Sequence, residues 1–449
     1  MKNILGSQEL NDLRREYSLY VISDRAIPHV TDGLKAAARR VLWKARDGKK
    51  IKSASLAGAT MSIHPHAAPE SAINSLAAFF RNNVPIFKGT GAFGTLLEPT
   101  EFGSSRYTAV QVSEFAKAVM FADLPIIPMV DNYDETELEP KHFLPLIPMV
   151  LLNPQEGIAD GFACNILPRS LEDIIRCQIE FMQSGEVPTV VAPSFTPLDA
   201  VSTGLEVDKK GVERWVFRGK FERIGATSIR ITGLPYGITH SKFIAKLDKL
   251  EETSDKVISY RDKSKDVYDI EIKFKRGYLS NLTDDQVFSV IGLETQMTEN
   301  LNVIDFNSES VYAGTFSDII VEFTTWRLEW YKVRYERLKK LLEEDIQKYR
   351  DILTAINNNV GSIARKTQSR SELKEFLAEI EIVNLDYIAD LPVYRFTADE
   401  KNKITSKLQD SLKTLEEYNH VLGSSRARKN IYINELKEIL SNYQAGKYS

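Results

Sequence analysis

A chain of 449 residues is too long for one ordinary core and implies roughly two to four domains. Hydrophobic residues at 43% and charged residues at 27% are ordinary for a globular protein, and no apolar run approaches the roughly 18 residues that span a bilayer. The net charge of −4 argues against a uniformly basic nucleic-acid binder, yet residues 1–60 carry twelve Lys or Arg against six Asp or Glu. That asymmetry points to a local phosphate-binding face or, more plainly, to a solvated basic helix. The opening Met1-Lys2-Asn3-Ile4-Leu5-Gly6 turns polar at once and suggests no secretory signal. Two cysteines, Cys164 and Cys177, are too few and wrongly spaced for a metal site or a disulfide framework, which fits a reducing cytoplasm.

In chain order, residues 7–24 read as a helix capped by Ser7, with Leu10, Leu13, Tyr17 and Tyr20 as its buried stripe. The turn-rich run from Asp24 to Lys35 opens a second helix, about 34–46. There Lys35, Arg39, Arg40 and Lys44 fall at helical spacing while Leu34, Val41 and Leu42 turn inward. Basic groups on a short helix packed by apolar neighbours suit a recognition helix of the helix-turn-helix or winged-helix kind. A His64-Pro65-His66 string follows, then a helix through Ile73, Leu76, Phe79 and Phe80. Two histidines without a third ligand at matching spacing favour phosphate contacts over a metal, with satisfied turn histidines as the plain alternative.

A glycine-rich loop, Gly89 to Gly94, precedes Gly103-Ser104-Ser105-Arg106-Tyr107-Thr108. A tyrosine hydroxyl can attack phosphorus and hold a broken strand as a phosphodiester. Its ordinary pKa of about 10 makes it a poor nucleophile without neighbours that stabilise the developing charge. Arg106 offers a planar fork of donors suited to phosphate oxygens. Downstream, residues 131–134 read as a polar turn, Leu144–Asn153 as a buried strand, and Gly157–Gly161 as a turn holding Ile158. That isoleucine is either a core plug or a wedge that kinks a duplex. The pattern then becomes β: 214–222, 228–232 and 268–274 read as strands, with a helix near 239–253. From about 317 the chain is helical. Tyr331, Tyr335, Leu338, Leu342, Ile346, Tyr349, Leu353 and Ile356 form a coiled-coil seam, residues 371–397 a compact cluster, and about 397–443 a second long run.

Several strings together resemble the DNA breakage-reunion subunit of type II topoisomerases, the A subunit of gyrase and topoisomerase IV. They are YSLYVISDRAIPHVTDGLKAAARRVLW, HPH, GTGAFG with SSRYTAV, VDNYDETE, IPMVLLN with GIADGFACNILP, ITGLPY and YIADLPVYRFTADE. They stand in family order along nearly the whole chain. Within the family the resemblance implies a separately encoded DNA-cleaving subunit of the bacteriophage kind, expected to be without gyrase's carboxyl-terminal DNA-wrapping domain. The resemblance implies a multidomain α+β fold: a winged-helix DNA breakage-reunion domain over 1–170, an α/β tower domain over 171–316, and a coiled-coil arm with a helical dimer gate over 317–449.

It also implies roles. Tyr107 is the expected nucleophile for a 5′ phosphate, Arg106 its transition-state partner, and Arg25 a group reaching the scissile region. Lys35, Arg39 and Arg40 are expected to grip the DNA backbone, His64 and His66 to approach the phosphates, and Ile158 to intercalate. The chain departs from bacterial relatives at Ala38, where they commonly have His, and at Ala67-Ala68-Pro69-Glu70-Ser71, where they have Gly-Asp-Ser after HPH. The latter region forms part of the quinolone site in those relatives.

No acidic metal motif and no phosphate loop stands in the sequence. Mg²⁺ and ATP are therefore expected on a partner subunit, with double-stranded DNA and a second copy of this chain as further partners, and the cytoplasm of a bacterial host as the location. Rival readings are a non-catalytic DNA-bending dimer in which Tyr107 merely packs, a tyrosine recombinase, whose residue order differs, and a structural coiled-coil protein, which leaves the first 170 residues unexplained.

Overall fold

The computed structural model describes residues 13–448 apart from 15–16, 19, 66–68, 160 and 309. The expected Ser7 cap and Leu10, together with His66, lie outside the described residues. The chain forms two compact units. One runs to Arg327 and resumes at Ile433; the other is Leu328–Tyr432.

The first unit begins with a π-helical turn, Val21–Ala26, then α1 (Ala36–Lys44), α2 (Ser53–Met61) and α3 (Pro69–Ala77). They pack with an antiparallel sheet of β1 (Ile51–Lys52), β2 (Phe87–Thr90) and β3 (Ala109–Val112) in the order β1-β3-β2. Leu34, Val41 and Leu42 are buried as their spacing predicts, and so are Ile73, Leu76 and Phe80. Phe79, expected on the same stripe, is exposed, because the chain leaves α3 at Ala77 and turns through a short 3₁₀ segment. Leu13 and Tyr17 also lie exposed rather than buried. Ser113 caps α4 (Glu114–Met120) by accepting from the Ala116 amide at 3.1 Å, which satisfies one of the orphan donors of a helix start.

The polar turn after Asp131 joins the hairpin of β4 (Met129–Asp131) and β5 (Leu138–Pro140). Residues 144–153 are buried as expected but are not a strand. They make an extended lead-in and the single helical turn α5 (Met149–Leu152). Pro145 and Pro148 explain the difference: each lacks the amide that a central strand must donate, while Pro148 fits just before a helix. The Gly157–Gly161 region is a hairpin rather than an isolated turn. Its strands are β6 (Gln155–Ala159) and β7 (Phe162–Ile166), with Ile158 opposite Ala163 near the tip.

After α6 (Leu171–Ser184) come two four-stranded antiparallel sheets. The first joins β8 (Ser194–Phe195), β9 (Ala200–Val207), β10 (Glu213–Arg218) and β15 (Glu294–Met297) in the order β15-β10-β9-β8. The second joins β11 (Lys220–Arg223), β12 (Ser228–Gly233), β13 (Val257–Asp262) and β14 (Ile270–Phe274) in the order β11-β12-β14-β13. The run 214–222 is thus broken at Gly219 between two sheets. Ile229, Ile231, Ile270, Ile272 and Phe274 alternate inward and pack with Phe243 and Leu247 of α7 (His240–Thr253) and with Val287 and Ile291 of α8 (Asp284–Ile291).

Helix α9 spans Phe316–Asn357 without a break. In its first third, fully buried Arg327 donates to the Pro145 carbonyl at 3.0 Å and pairs with Asp123, which ties the start of the helix into the first unit. In the second unit, Tyr331 and Ile346 of the expected seam are buried, while Leu338 stands at the rim, more than a third exposed. Tyr331 packs on Tyr432 and Tyr335 on Tyr418, so the returning helices run antiparallel to α9. Short helices α10 (Arg370–Glu379) and α11 (Leu385–Ala389) form the compact cluster, whose core joins Ile352, Ala355, Leu373, Leu377, Ile388 and Ile404. The second long run is two helices, α12 (Ala398–Gly423) and α13 (Ser425–Gln444), divided at extended Ser424. Ser424 caps α13 through the Ala427 amide, and Arg428 donates to the last carbonyls of α12, so both broken ends are satisfied.

Candidate active site

Tyr107 stands at the head of β3, the central strand of the three-stranded sheet. A turn over Ser104–Tyr107 aims it. The Tyr107 and Thr108 amides both donate to the Ser104 carbonyl, at 2.8 and 3.3 Å. The turn is pinned to the start of α2 by three bonds: Ser53 amide to Thr108 carbonyl, Ala54 amide to Ser105 carbonyl, and Thr108 hydroxyl to Ser53 hydroxyl at 2.8 Å. Gly103 donates to the Ala92 carbonyl at 2.9 Å, so the glycine-rich loop backs the turn. The result is a backbone held tightly and a side chain held out: Tyr107 is 71% exposed. The Arg106 guanidinium lies 5.0 Å from the Tyr107 ring centroid, which sets a fixed positive charge beside the phenol. An exposed phenol with a guanidinium neighbour can approach a phosphodiester from outside the fold.

The basic residues of α1 are arranged differently from the expected grip. Arg39 is buried and pairs with fully buried Asp32 at 2.7 Å. Arg40 is buried between Asp24 at 3.1 Å and Glu139 at 2.5 Å, and Lys44 pairs with Glu137 at 3.0 Å. Burial works against the charged Asp32, yet Arg39 holds its carboxyl below the ordinary range. These carboxylates were not legible as partners: Glu139 is 99 positions from Arg40, and Asp32, seven positions before Arg39, lies in the turn ahead of α1 rather than on the helix.

Lys35 is the exception. Its ammonium donates to the Glu156 backbone carbonyl at 2.7 Å, and burial pushes its pKa down. Lys35 and Arg40 line one cleft of about 830 Å³ with Arg25 of the π-helical turn; Arg106 and Tyr107 are not among its lining residues.

The β6–β7 hairpin meets this region through Gly157. A Cβ there would fall 1.9 Å from the Ala26 carbonyl oxygen, so only glycine lets β6 lie on the π-helical turn. The next residue, Ile158, is 87% exposed, which removes the core-plug reading within this chain. His64 is buried: its Nε2 lies 3.4 Å from the Tyr20 hydroxyl and its ring packs against Tyr133. Sequence reasoning missed a second histidine pair, His29 and His142, with centroids 5.8 Å apart. Burial holds both neutral, at pKa values of about 3 and about 4. His29 takes up Thr31 and Ser308 hydroxyls at 2.7 and 2.8 Å, so this pair is structural. Among the described residues no group of three or more His, Cys, Asp or Glu side chains is arranged to hold a metal ion, and no helix is long and apolar enough to cross a membrane.

Comparison with known proteins agrees with the strings that resemble the breakage-reunion subunit. The family model described as the A subunit of DNA gyrase/topoisomerase IV matches residues 25–437. The DNA topoisomerase medium subunit of Enterobacteria phage T4 is 27% identical over 432 residues, covering 91% of this chain and 92% of that protein. The A subunit of DNA gyrase from Deinococcus deserti is 26% identical over 464 residues, and that from Chlamydia pneumoniae 26% over 478. These cover 95% and 98% of this chain but 56% of each gyrase protein, so the chain spans about half the length of those bacterial relatives.

Proposed function

This chain belongs to the A-subunit family of DNA gyrase and topoisomerase IV, and on that premise we propose that Tyr107 is the nucleophile of its DNA-cleaving reaction. The family is one of type II topoisomerases, which are isomerases, and this chain is read as a DNA-cleaving subunit. The observation that carries the residue assignment is the exposed phenol at the head of β3, with Arg106 5.0 Å from its ring and its backbone pinned to α2.

The chemistry balances without an oxidant or a bond-energy donor. The Tyr107 oxygen forms a bond to the scissile phosphorus and loses its proton. The bond from phosphorus to the 3′ oxygen breaks, and that oxygen leaves and takes up a proton. The strand keeps its 5′ phosphate on Tyr107, and the reverse step reseals it. Arg106 stabilises the negative charge that builds on the phosphoryl oxygens. Ile158, exposed at a hairpin tip, is the wedge that kinks the cleaved duplex. Arg25 and Lys35 flank the DNA path, His66 belongs with them from its place in the HPH string, and His64 joins them only by leaving its buried place against Tyr20 and Tyr133. Arg39 and Arg40 join the DNA contacts only by exchanging their carboxylate partners.

The holoenzymes of this family use ATP and Mg²⁺, and the described residues offer no fit for the metal. Both are assigned to a separate ATPase and metal-binding subunit. The winged-helix, tower and coiled-arm division at 170 and 316 is the domain reading that accompanies this function, with relaxation and decatenation of duplex DNA as the outcome. One chain supplies one tyrosine, so cutting both strands requires two copies. The tip of the second unit, where Val383, Tyr387, Val393 and Tyr394 are exposed, is their contact.

The test is to mix the chain with its metal-binding partner, Mg²⁺ and duplex DNA, quench with detergent and digest with protease. Broken DNA bearing protein at its 5′ ends is expected from wild type and not from Tyr107→Phe, with DNA binding retained. Adduct persisting in the variant moves the chemistry to another residue. No adduct from either, beside a demonstrably active partner, favours the DNA-bending reading.

A further inference from the structure

The ion pairs of α1 leave open which cations meet the DNA next to the tyrosine, and the geometry points to the outer face of the three-stranded sheet, through Lys52 and Lys88. This inference rests on the cleavage reading and extends it to residues outside the family strings. The sheet runs β1-β3-β2, and Tyr107 lies two residues before Ala109, where β3 starts. In register, Lys52 of β1 and Thr90 of β2 both face Ala109, and Lys88 faces Gln111. Directly opposed residues, and residues two apart on one strand, share a face. Lys52, Lys88 and Thr90 therefore stand on one face, on the two strands that flank the tyrosine's own.

Both lysines are exposed, and no carboxylate lies within 4.0 Å of either among the described residues. The contrast with Arg39, Arg40 and Lys44 is complete on that point. The sequence around them explains why. Residues 48–69, 71–97 and 102–113, which supply all three strands and the tyrosine turn, contain Lys49, Lys50, Lys52, Arg81, Lys88 and Arg106 and not one Asp or Glu. The acids that interrupt this stretch, Glu70, Glu98 and Glu101, lie outside the three strands and the tyrosine turn.

The strands bind this face to the catalytic turn. Ser53, which follows Lys52, exchanges backbone and hydroxyl bonds with Thr108. Gly91, the residue after β2, lies so close that a Cβ on it would meet the Tyr107 carbonyl oxygen at 3.4 Å. Two strand spacings across and two residues along put the Lys52 and Lys88 Cα atoms about 12 Å apart, a span of roughly three to four phosphates of one strand. The two lysines are positioning residues: they hold the backbone that flanks the scissile phosphate so that Tyr107 meets it in line, and they take no part in the bond exchange.

The experiment is a salt titration of affinity, with the full chain and a fluorescein-labelled duplex read by anisotropy. Each phosphate contact adds about 0.9 to the slope of log affinity against log salt. The Lys52→Gln/Lys88→Gln double variant should lower that slope by about 1.8, and Lys52→Arg/Lys88→Arg should keep it. Lys209→Gln/Lys210→Gln, which removes the same charge from an exposed turn of the β9–β10 hairpin, should leave it unchanged. Neither site lysine is in an ion pair, so the thermal transition should match wild type. A wild-type slope in the glutamine variant overturns the inference. So does a variant that binds DNA normally but fails to capture the ATPase and metal-binding subunit, because the face then serves that protein. Tyr107→Phe should show the wild-type slope with no adduct, so failure of the cleavage reading appears in the adduct and failure of this one in the slope.

Discussion

At the scale of single residues, Arg40 separates charge from function. Read along the sequence, it is one of four cations at helical spacing. In the fold its guanidinium is buried between Asp24 and Glu139, two carboxylates for one cation. It connects the π-helical turn that carries Arg25 to α1 and to β5. Removing one member of a buried pair costs about 3–5 kcal/mol, mostly because the remaining charge is stranded. Arg40→Gln strands two carboxylates that then face each other, so a loss of at least about 3 kcal/mol is expected in urea unfolding. Its DNA-binding salt slope, measured where the variant is still folded, should change by less than the roughly 0.9 of one phosphate contact. A variant of wild-type stability with a slope reduced by that amount would return Arg40 to the DNA.

At the scale of elements, the wedge role proposed for Ile158 depends on the β6–β7 hairpin being clamped at its base. Gly157 touches the Ala26 carbonyl, and Lys35 holds the Glu156 carbonyl from below. Gly157→Ala must lift β6 off the π-helical turn, since a 1.9 Å approach to backbone cannot be relieved by a rotamer. The expected result is a DNA bend reduced in fluorescence transfer between duplex ends, with Ile158→Ala giving the same loss without the strain. An unchanged bend in Gly157→Ala would show that the hairpin does not set the wedge. The elements also show what the sequence carried. Strands 228–232 and 268–274 were legible because isoleucines alternate over one core, and α1 because its apolar residues recur at helical spacing. Residues 144–153 misled because burial on every side erases periodicity, leaving two prolines as the only sign against a strand. Tyr107 and Arg106 were legible as strings. Lys52 and Lys88 were not, because a shared face is a property of register between strands 36 positions apart, which no local pattern encodes.

At the scale of the whole molecule, the reaction sets a demand that one chain does not meet. Two strands opened by two tyrosines leave each DNA end bonded to a different copy, so the copies must stay joined elsewhere while the break is open. In the second unit the helical cluster buries Leu377 and Ile388 in its own core and leaves Val383, Val393 and Tyr394 more than half exposed. Apolar side chains exposed on a small helical cluster suit a self-complementary contact, because a two-fold axis doubles whatever one copy offers. Val393→Asp/Tyr394→Asp places charge there without entering the core, so the cluster should stay folded while the dimer dissociates in sedimentation velocity. The cleavage products distinguish this from a general loss of activity. A monomer that still binds DNA through the tyrosine sheet should yield single-strand nicks with protein at one 5′ end, whereas the wild type yields double-strand breaks. A variant that remains dimeric at nanomolar concentration, or that loses nicks and breaks together, would place the lasting contact between copies outside the helical cluster.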